Sequence, residues 1–87
     1  MRVLLDLSGL TFDDYIDFEE ATGSSVTEAV AAMTKQRSTP VQQRALVWIF
    51  TRHIDPTFTL EDAGGLPVRS IEWEIPTRAK ADEEGGD

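Results

Sequence analysis

Residues 39–50, which read TPVQQRALVWIF, decide the fold because a strong helix start leads directly into an apolar run. The threonine can cap the helix, the proline suits its first position, and the first glutamine completes a capping box. The apolar run from 45 to 50 covers every face of a helix, so this helix must be buried on most sides, within the fold or between subunits. We predict it over 40–54, since Pro56 disfavours helix in the residue before it.

Three further helices are expected around this one. The first, over 12–22, begins at a capping box between Thr11 and Asp14. A second is expected over 25–37, and a short fourth helix begins at Thr59 and is broken by paired glycines. The apolar side of the first helix is expected to comprise Phe12, Tyr15 and Ile16, with Phe18 as a further candidate.

The two ends of the chain have a different character. Residues 1–10 are apolar and could form a brief strand or an extended arm laid on the helices. Residues 71–75 alternate apolar and acidic side chains, as in an edge strand or an extended segment that awaits a partner. Residues 76–87 lack large apolar side chains and have the composition of a disordered acidic tail. The sequence therefore predicts a mainly α fold, a small bundle of three to four helices with an extended N-terminal arm over 1–75 and a flexible acidic tail over 76–87.

Charge limits the classes of partner. The chain has 16 acidic and 8 basic residues, which gives a net charge of −8. This argues against nucleic acid, whose phosphates need a basic face, and against anionic membrane surfaces. Acidic residues dominate 1–34, whereas 35–54 contains four bases and no acid. These two segments can attract each other within one fold or between copies.

No catalytic, cofactor or metal site is predicted, and we do not expect an enzyme. The absence of cysteine excludes disulfides and thiolate chemistry. The only histidine, His53, lies near a helix end, where capping of carbonyls or packing explains it better than catalysis. Carboxylate doublets such as Asp13-Asp14 suit a solvated helix surface, and residues 55–62 lack the ligand spacing of a calcium loop.

The start of the chain has no complete export signal. Its apolar run is broken by Asp6 after three residues, and no apolar stretch is long enough to span a membrane. We expect the protein to stay in the cytoplasm in which it is made.

Three segments resemble a known family. They are Leu10-Thr11-Phe12-Asp13-Asp14 leading through Glu19-Glu20-Ala21-Thr22-Gly23, then an Ala/Trp-rich helix, and then Arg52-His53-Ile54-Asp55-Pro56-Thr57-Phe58-Thr59-Leu60-Glu61-Asp62. This succession, over roughly residues 8–66, resembles the small tail assembly chaperones of long-tailed, siphovirus-type bacteriophages, especially those of actinobacterial hosts.

The resemblance implies a non-structural assembly factor that works in the host cell cytoplasm. Such proteins coat the long, helical tape measure protein before the tail tube polymerises, and they are absent from the mature virion. In many relatives a ribosomal frameshift yields a longer form whose extra domain recruits the tail tube protein.

A client of this kind would be bound through apolar surface. Aromatic residues are the usual anchors of protein interfaces, and helix-in-groove recognition would suit a helical client. We expect the client groove between helices 25–37 and 40–54, although core packing is the alternative for its aromatic residues. The protein-binding candidates are Met33, Trp48, Phe50, Phe58 and Trp73.

A second class of function stays open. A small structural or regulatory subunit, from a phage or a bacterium, would bury the same aromatic residues in a permanent homo-oligomer. A chaperone would stay soluble alone and bind its client in many copies, whereas a structural subunit would form a closed assembly by itself.

Overall fold

Four α-helices and two short strands follow one another along residues 1–76, the part of the chain that the computed structural model describes. The fold is mainly helical, as predicted. The tail predicted for 76–87 lies, from residue 77 onward, outside the described residues. In chain order the elements are β1 (Arg2–Leu4), a 3-10 helix (Leu7–Gly9), α1 (Phe12–Thr22), α2 (Val26–Thr34), α3 (Pro40–Thr51), α4 (Leu60–Gly64), a second 3-10 helix (Val68–Ser70) and β2 (Glu72–Glu74).

Each of the α-helices starts at a capping box. The hydroxyl of a serine or threonine before the helix accepts the N–H three residues on, and the side chain at that third position accepts the N–H of the capping residue. These reciprocal bonds satisfy donors that a helix start would otherwise leave without partners. The four pairs are Thr11–Asp14, Ser25–Glu28, Thr39–Gln42 and Thr59–Asp62.

Two helices end earlier than predicted. α2 stops at Thr34 rather than 37, because Gln36 adopts a left-handed conformation with φ of 57°. The N–H of Gln36 then bonds the carbonyl of Met33 and that of Arg37 bonds the carbonyl of Ala32, which is the Schellman termination. α3 stops at Thr51 rather than 54, and the carbonyl of Thr51 accepts the N–H groups of Ile54 and Asp55, both at 2.9 Å.

The strands β1 and β2 form a parallel two-stranded sheet in which Val3 is paired with Trp73. The N–H of Leu5 donates to the carbonyl of Glu74 at 2.8 Å, and the N–H of Glu72 donates to the carbonyl of Met1 at 2.7 Å. Of the alternatives open for each end, the strand is therefore the one adopted. All four helices lie in the crossover between the strands, as a parallel pairing requires a long connection.

The core forms around α3. Ala45, Leu46, Val47 and Ile49 are buried, and they pack with residues from α1, α2, α4 and β1. The expectation that α3 is buried on most sides is therefore confirmed. Trp48 and Phe50 are only partly buried at the edge of this core.

The predicted apolar side of α1 is partly wrong. Phe12 is 88% exposed and Ile16 is 51% exposed, whereas Phe18 is fully buried. Residues 14, 18 and 21 fall within a sector of about 60° at 100° per residue, and this is the face that turns inward. Asp14 lies on this face and is buried. Its carboxylate is bonded by Arg52 and His53, which directly follow α3.

Candidate functional site: an ion cluster and two apolar grooves

The carboxylate of Asp14 connects α1 to the end of α3. Its Oδ1 accepts hydrogen bonds from Arg52 Nε at 3.1 Å and Nη2 at 2.6 Å. Its Oδ2 accepts the backbone N–H of Thr11 at 2.9 Å and lies 2.6 Å from Nε2 of His53. Arg52 Nη2 also reaches Oδ2 of Asp17 at 2.9 Å. The acidic and basic segments of the sequence therefore attract each other within one chain.

Opposing effects set the pKa of Asp14. Burial raises it, because only 4% of the side chain is exposed, but hydrogen bonds from the Thr11 backbone, Arg52 and His53 outweigh burial and lower the pKa to about 2. Burial would lower the pKa of Arg52, yet its bonds to Asp14 and Asp17 raise it. Both groups are charged at neutral pH. A carboxylate held this firmly in its ionised form is a poor proton donor, so the cluster is suited to linking two helices.

His53 does not have the role that the sequence indicated. We expected it to cap helix carbonyls or to pack, whereas its ring contacts the Asp14 carboxylate. The expectation was wrong because Asp14 is distant in sequence and already explained as part of a capping box.

Trp48 lies beneath the same cluster. The Cζ atom of Arg52 is 4.5 Å from the centroid of the Trp48 ring, the geometry of a cation–π contact. Trp48 is partly buried against the core on its other contacts. The Trp48 ring therefore contacts both Arg52 and the core of the same chain.

An apolar groove, which we call the α3–α4 groove, runs between these two helices and the segment that enters β2. It has a volume of about 210 Å³. Its walls include Val41, Arg44 and Val47 of α3, Gly64 of α4, and Val68 and Trp73. Among residues 1–76, Arg44 is the only charged residue in its lining.

A second groove, which we call the β1 groove, lies beside β1 and the end of α3. It has a volume of about 360 Å³ and a more mixed lining, with charged residues among the apolar ones. Its walls include Arg2, Leu4, Asp6, Phe50, His53 and Ile54.

The five predicted protein-binding residues do not form one site. Trp73 lines the α3–α4 groove and Phe50 lines the β1 groove. Met33, Trp48 and Phe58 are partly buried against the core and line neither groove. No residue of α2 lines either groove, so neither of them is the expected client groove that would involve α2 together with α3.

Several residues of the α3–α4 groove had no signal in the sequence. Val41 and Val68 read as ordinary apolar positions, although 44% of Val41 and 70% of Val68 is exposed. Arg44 read as a solvated helix residue. It lies in a run without acidic residues, 35–54, and among residues 1–76 it has no ion-pair partner.

Comparisons with known proteins add no relative: no family model, curated protein or solved structure matches this chain. Among residues 1–76, no three His, Cys, Asp or Glu side chains are grouped closely enough to hold a metal ion. Within the same residues, none of the helices combines the length and apolar character needed to cross a membrane.

Proposed function

We propose that this protein is a tail assembly chaperone of a long-tailed bacteriophage, which binds the tape measure protein and keeps it soluble in the host cytoplasm. It acts without chemistry, as a binding protein, and does not remain in the mature virion. The likeness of residues 8–66 to that family motivates the proposal. A longer form that recruits the tail tube protein is compatible with this role.

The observation that carries the proposal is the open α3–α4 groove. A contiguous apolar patch on the surface of a protein marks a place where another molecule can bind. Here two valines that line the groove, Val41 and Val68, are 44% and 70% exposed, while the lining also includes the buried core residue Val47. A helical client with apolar residues on one face can displace water from such a groove.

The charge of the protein supports the same role. A net charge of −8 keeps copies of the chain apart and soluble, which a factor that coats an aggregation-prone client requires. Many modest sites along one long client would also add their affinities through avidity.

Co-expression tests the proposal. The protein should be produced with the very long helical protein encoded just downstream of its gene, and the lysate analysed by size-exclusion chromatography with light scattering. A soluble complex with several copies of this protein per client supports the chaperone. A client that aggregates both with and without this protein contradicts it.

The second candidate is a small structural or regulatory subunit that acts through homo-oligomerisation. Phe12 and Ile54 favour it, because each is 88% exposed and would be buried in an assembly. This candidate predicts a closed oligomer of the purified protein without any client, and its presence in purified particles.

A further inference from the structure

We propose that the α3–α4 groove is where the client binds, and that it takes an amphipathic client helix that carries a carboxylate beside its apolar residues. This inference rests on the proposed chaperone function and adds the location and the sequence preference of the contact. Its occupant follows from the spacing of the groove residues, from the exposure of the rim, and from Arg44, which has no ion-pair partner among residues 1–76.

The spacing of the α3 wall favours a helix as the occupant. Pro40, Arg44 and Val47 line the groove at intervals of four and three residues, so the wall extends along two turns, or about 10 Å. A helix with apolar residues at i, i+3 or i+4, and i+7 matches this repeat. An extended occupant is disfavoured, because β2 has only three residues and Pro76 follows it closely without an N–H to donate.

The rim and the volume fit apolar side chains of a bound partner. Val41 is 44% exposed and Val68 is 70% exposed, so each has apolar surface still to bury. A cavity of about 150 Å³ accommodates benzene. At about 210 Å³, the groove has room for one aromatic or two aliphatic side chains.

Arg44 determines the charge that the occupant should carry. It is the only charged lining residue, and within residues 1–76 no acidic side chain forms an ion pair with it. A Cβ atom at Gly64 would lie 3.3 Å from Arg44 Cδ, so the bare glycine lets the arginine stem rest on α4. The net charge of −8 does not prevent an acidic client, because charges farther away than about 8 Å are screened at physiological ionic strength.

Three variants of the full chain separate the contributions. In the first, Val41→Asp and Val68→Asp place charges on both rim positions, which are exposed enough to leave the core intact. In the second, Arg44→Glu reverses the groove charge. The matched control is Ile54→Asp, because Ile54 is also an exposed apolar residue but lines the β1 groove. Circular dichroism should show the wild-type helical signal for all of them.

A pair of designed peptides probes the charge preference directly. Each is an 18-residue helix with leucines at i, i+4 and i+7, and the two differ only in having glutamate or lysine beside the leucines. An exposed ion pair is worth about 0.2–1 kcal/mol, so Arg44→Glu should weaken binding of the glutamate peptide about 1.4- to fivefold and strengthen binding of the lysine peptide by a similar factor. The indole NMR signal of Trp73, which lines the groove, should shift on binding while that of Trp48 does not.

The co-expression assay then decides between outcomes. The proposal is supported if wild type and Ile54→Asp keep the client soluble while the rim double variant does not. It also requires that Arg44→Glu weakens binding of the glutamate peptide and strengthens binding of the lysine peptide. It is overturned, with the chaperone function intact, if all variants keep the client soluble or if a proline in the peptide leaves binding unchanged. A client that stays insoluble with wild type overturns both. If the rim variant instead dissociates an oligomer of the protein alone, the occupant is a second copy and the proposal fails.

Discussion

The link between α1 and α3 can be tested by replacing Asp14 with asparagine. This change keeps the size of the side chain and leaves one oxygen that can still accept the Thr11 N–H. It removes the negative charge that faces Arg52 at 2.6 Å and His53 at 2.6 Å. The result is a guanidinium that is only 20% exposed and has lost its main partner.

The expected loss of stability is large for a protein of this size. Breaking a buried ion pair costs about 3–5 kcal/mol, and the partial exposure of Arg52 reduces this to about 2–3 kcal/mol. The pKa of Asp14 leads to a similar figure, since a fall from 3.8 to about 2 corresponds to about 2.4 kcal/mol at 1.36 kcal/mol per unit. The free energy of unfolding of the whole domain should be about 4–13 kcal/mol, at about 0.05–0.15 kcal/mol per residue.

The same pKa defines a pH dependence. Because the pKa of Asp14 is lower in the folded chain than in the unfolded chain, the folded state binds fewer protons. The stability that this carboxylate contributes is therefore present above about pH 4 and is lost as the pH falls towards 2. The difference between wild type and Asp14→Asn should shrink over that window.

Urea unfolding followed by circular dichroism, at pH 7 and at intervals down to pH 2, measures both effects. The control is Asp17→Asn, since Asp17 bonds the same arginine but is 38% exposed. It should cost only about 0.2–1 kcal/mol. The reasoning is refuted if the two substitutions cost the same at pH 7, or if the deficit of Asp14→Asn stays constant down to pH 2.

Three further predictions concern other parts of the fold. Gln36→Gly should raise the free energy of unfolding by up to about 1 kcal/mol, because a left-handed non-glycine residue is strained, and a loss of stability in urea would contradict this. Leu46→Ala should lower the free energy of unfolding by about 2–5 kcal/mol, since Leu46 is fully buried. The control Val41→Ala should change it by no more than about 0.5 kcal/mol, and equal effects would mean that the core is not around α3. Phe12→Ser should change the melting temperature by less than about 4 °C, and a larger fall would show that Phe12 is covered, for example in an oligomer.

The helices were predictable because their start signals are local. A capping box involves residues only three apart, and each of the four residues that cap an α-helix is followed three positions on by a matching side chain. The end of α2 was not predicted, because Gln36 adopts a left-handed conformation that glycine usually adopts and a glutamine does not indicate.

The site was less predictable because its contacts connect distant residues. Asp14 and Arg52 are 38 positions apart, and the capping role of Asp14 concealed its role in the ion cluster. The rotation of α1 depends on that pairing, so the exposure of Phe12 could not follow from an apolar pattern alone. The α3–α4 groove likewise exists only once α4 and the segment before β2 are placed against α3.

The parallel pairing of β1 with β2 has a consequence for the order of folding. Arg2 is paired with Glu72, so 70 positions separate two residues that must meet. Closing a loop of that size costs about 1.7 kcal/mol more than closing one of ten residues. At a synthesis rate of about 5–20 residues per second, β1 also waits some 4–14 s before β2 exists. The helices can form in the meantime, and the sheet, which includes Val3 and the bond from Leu5 to Glu74, is completed last.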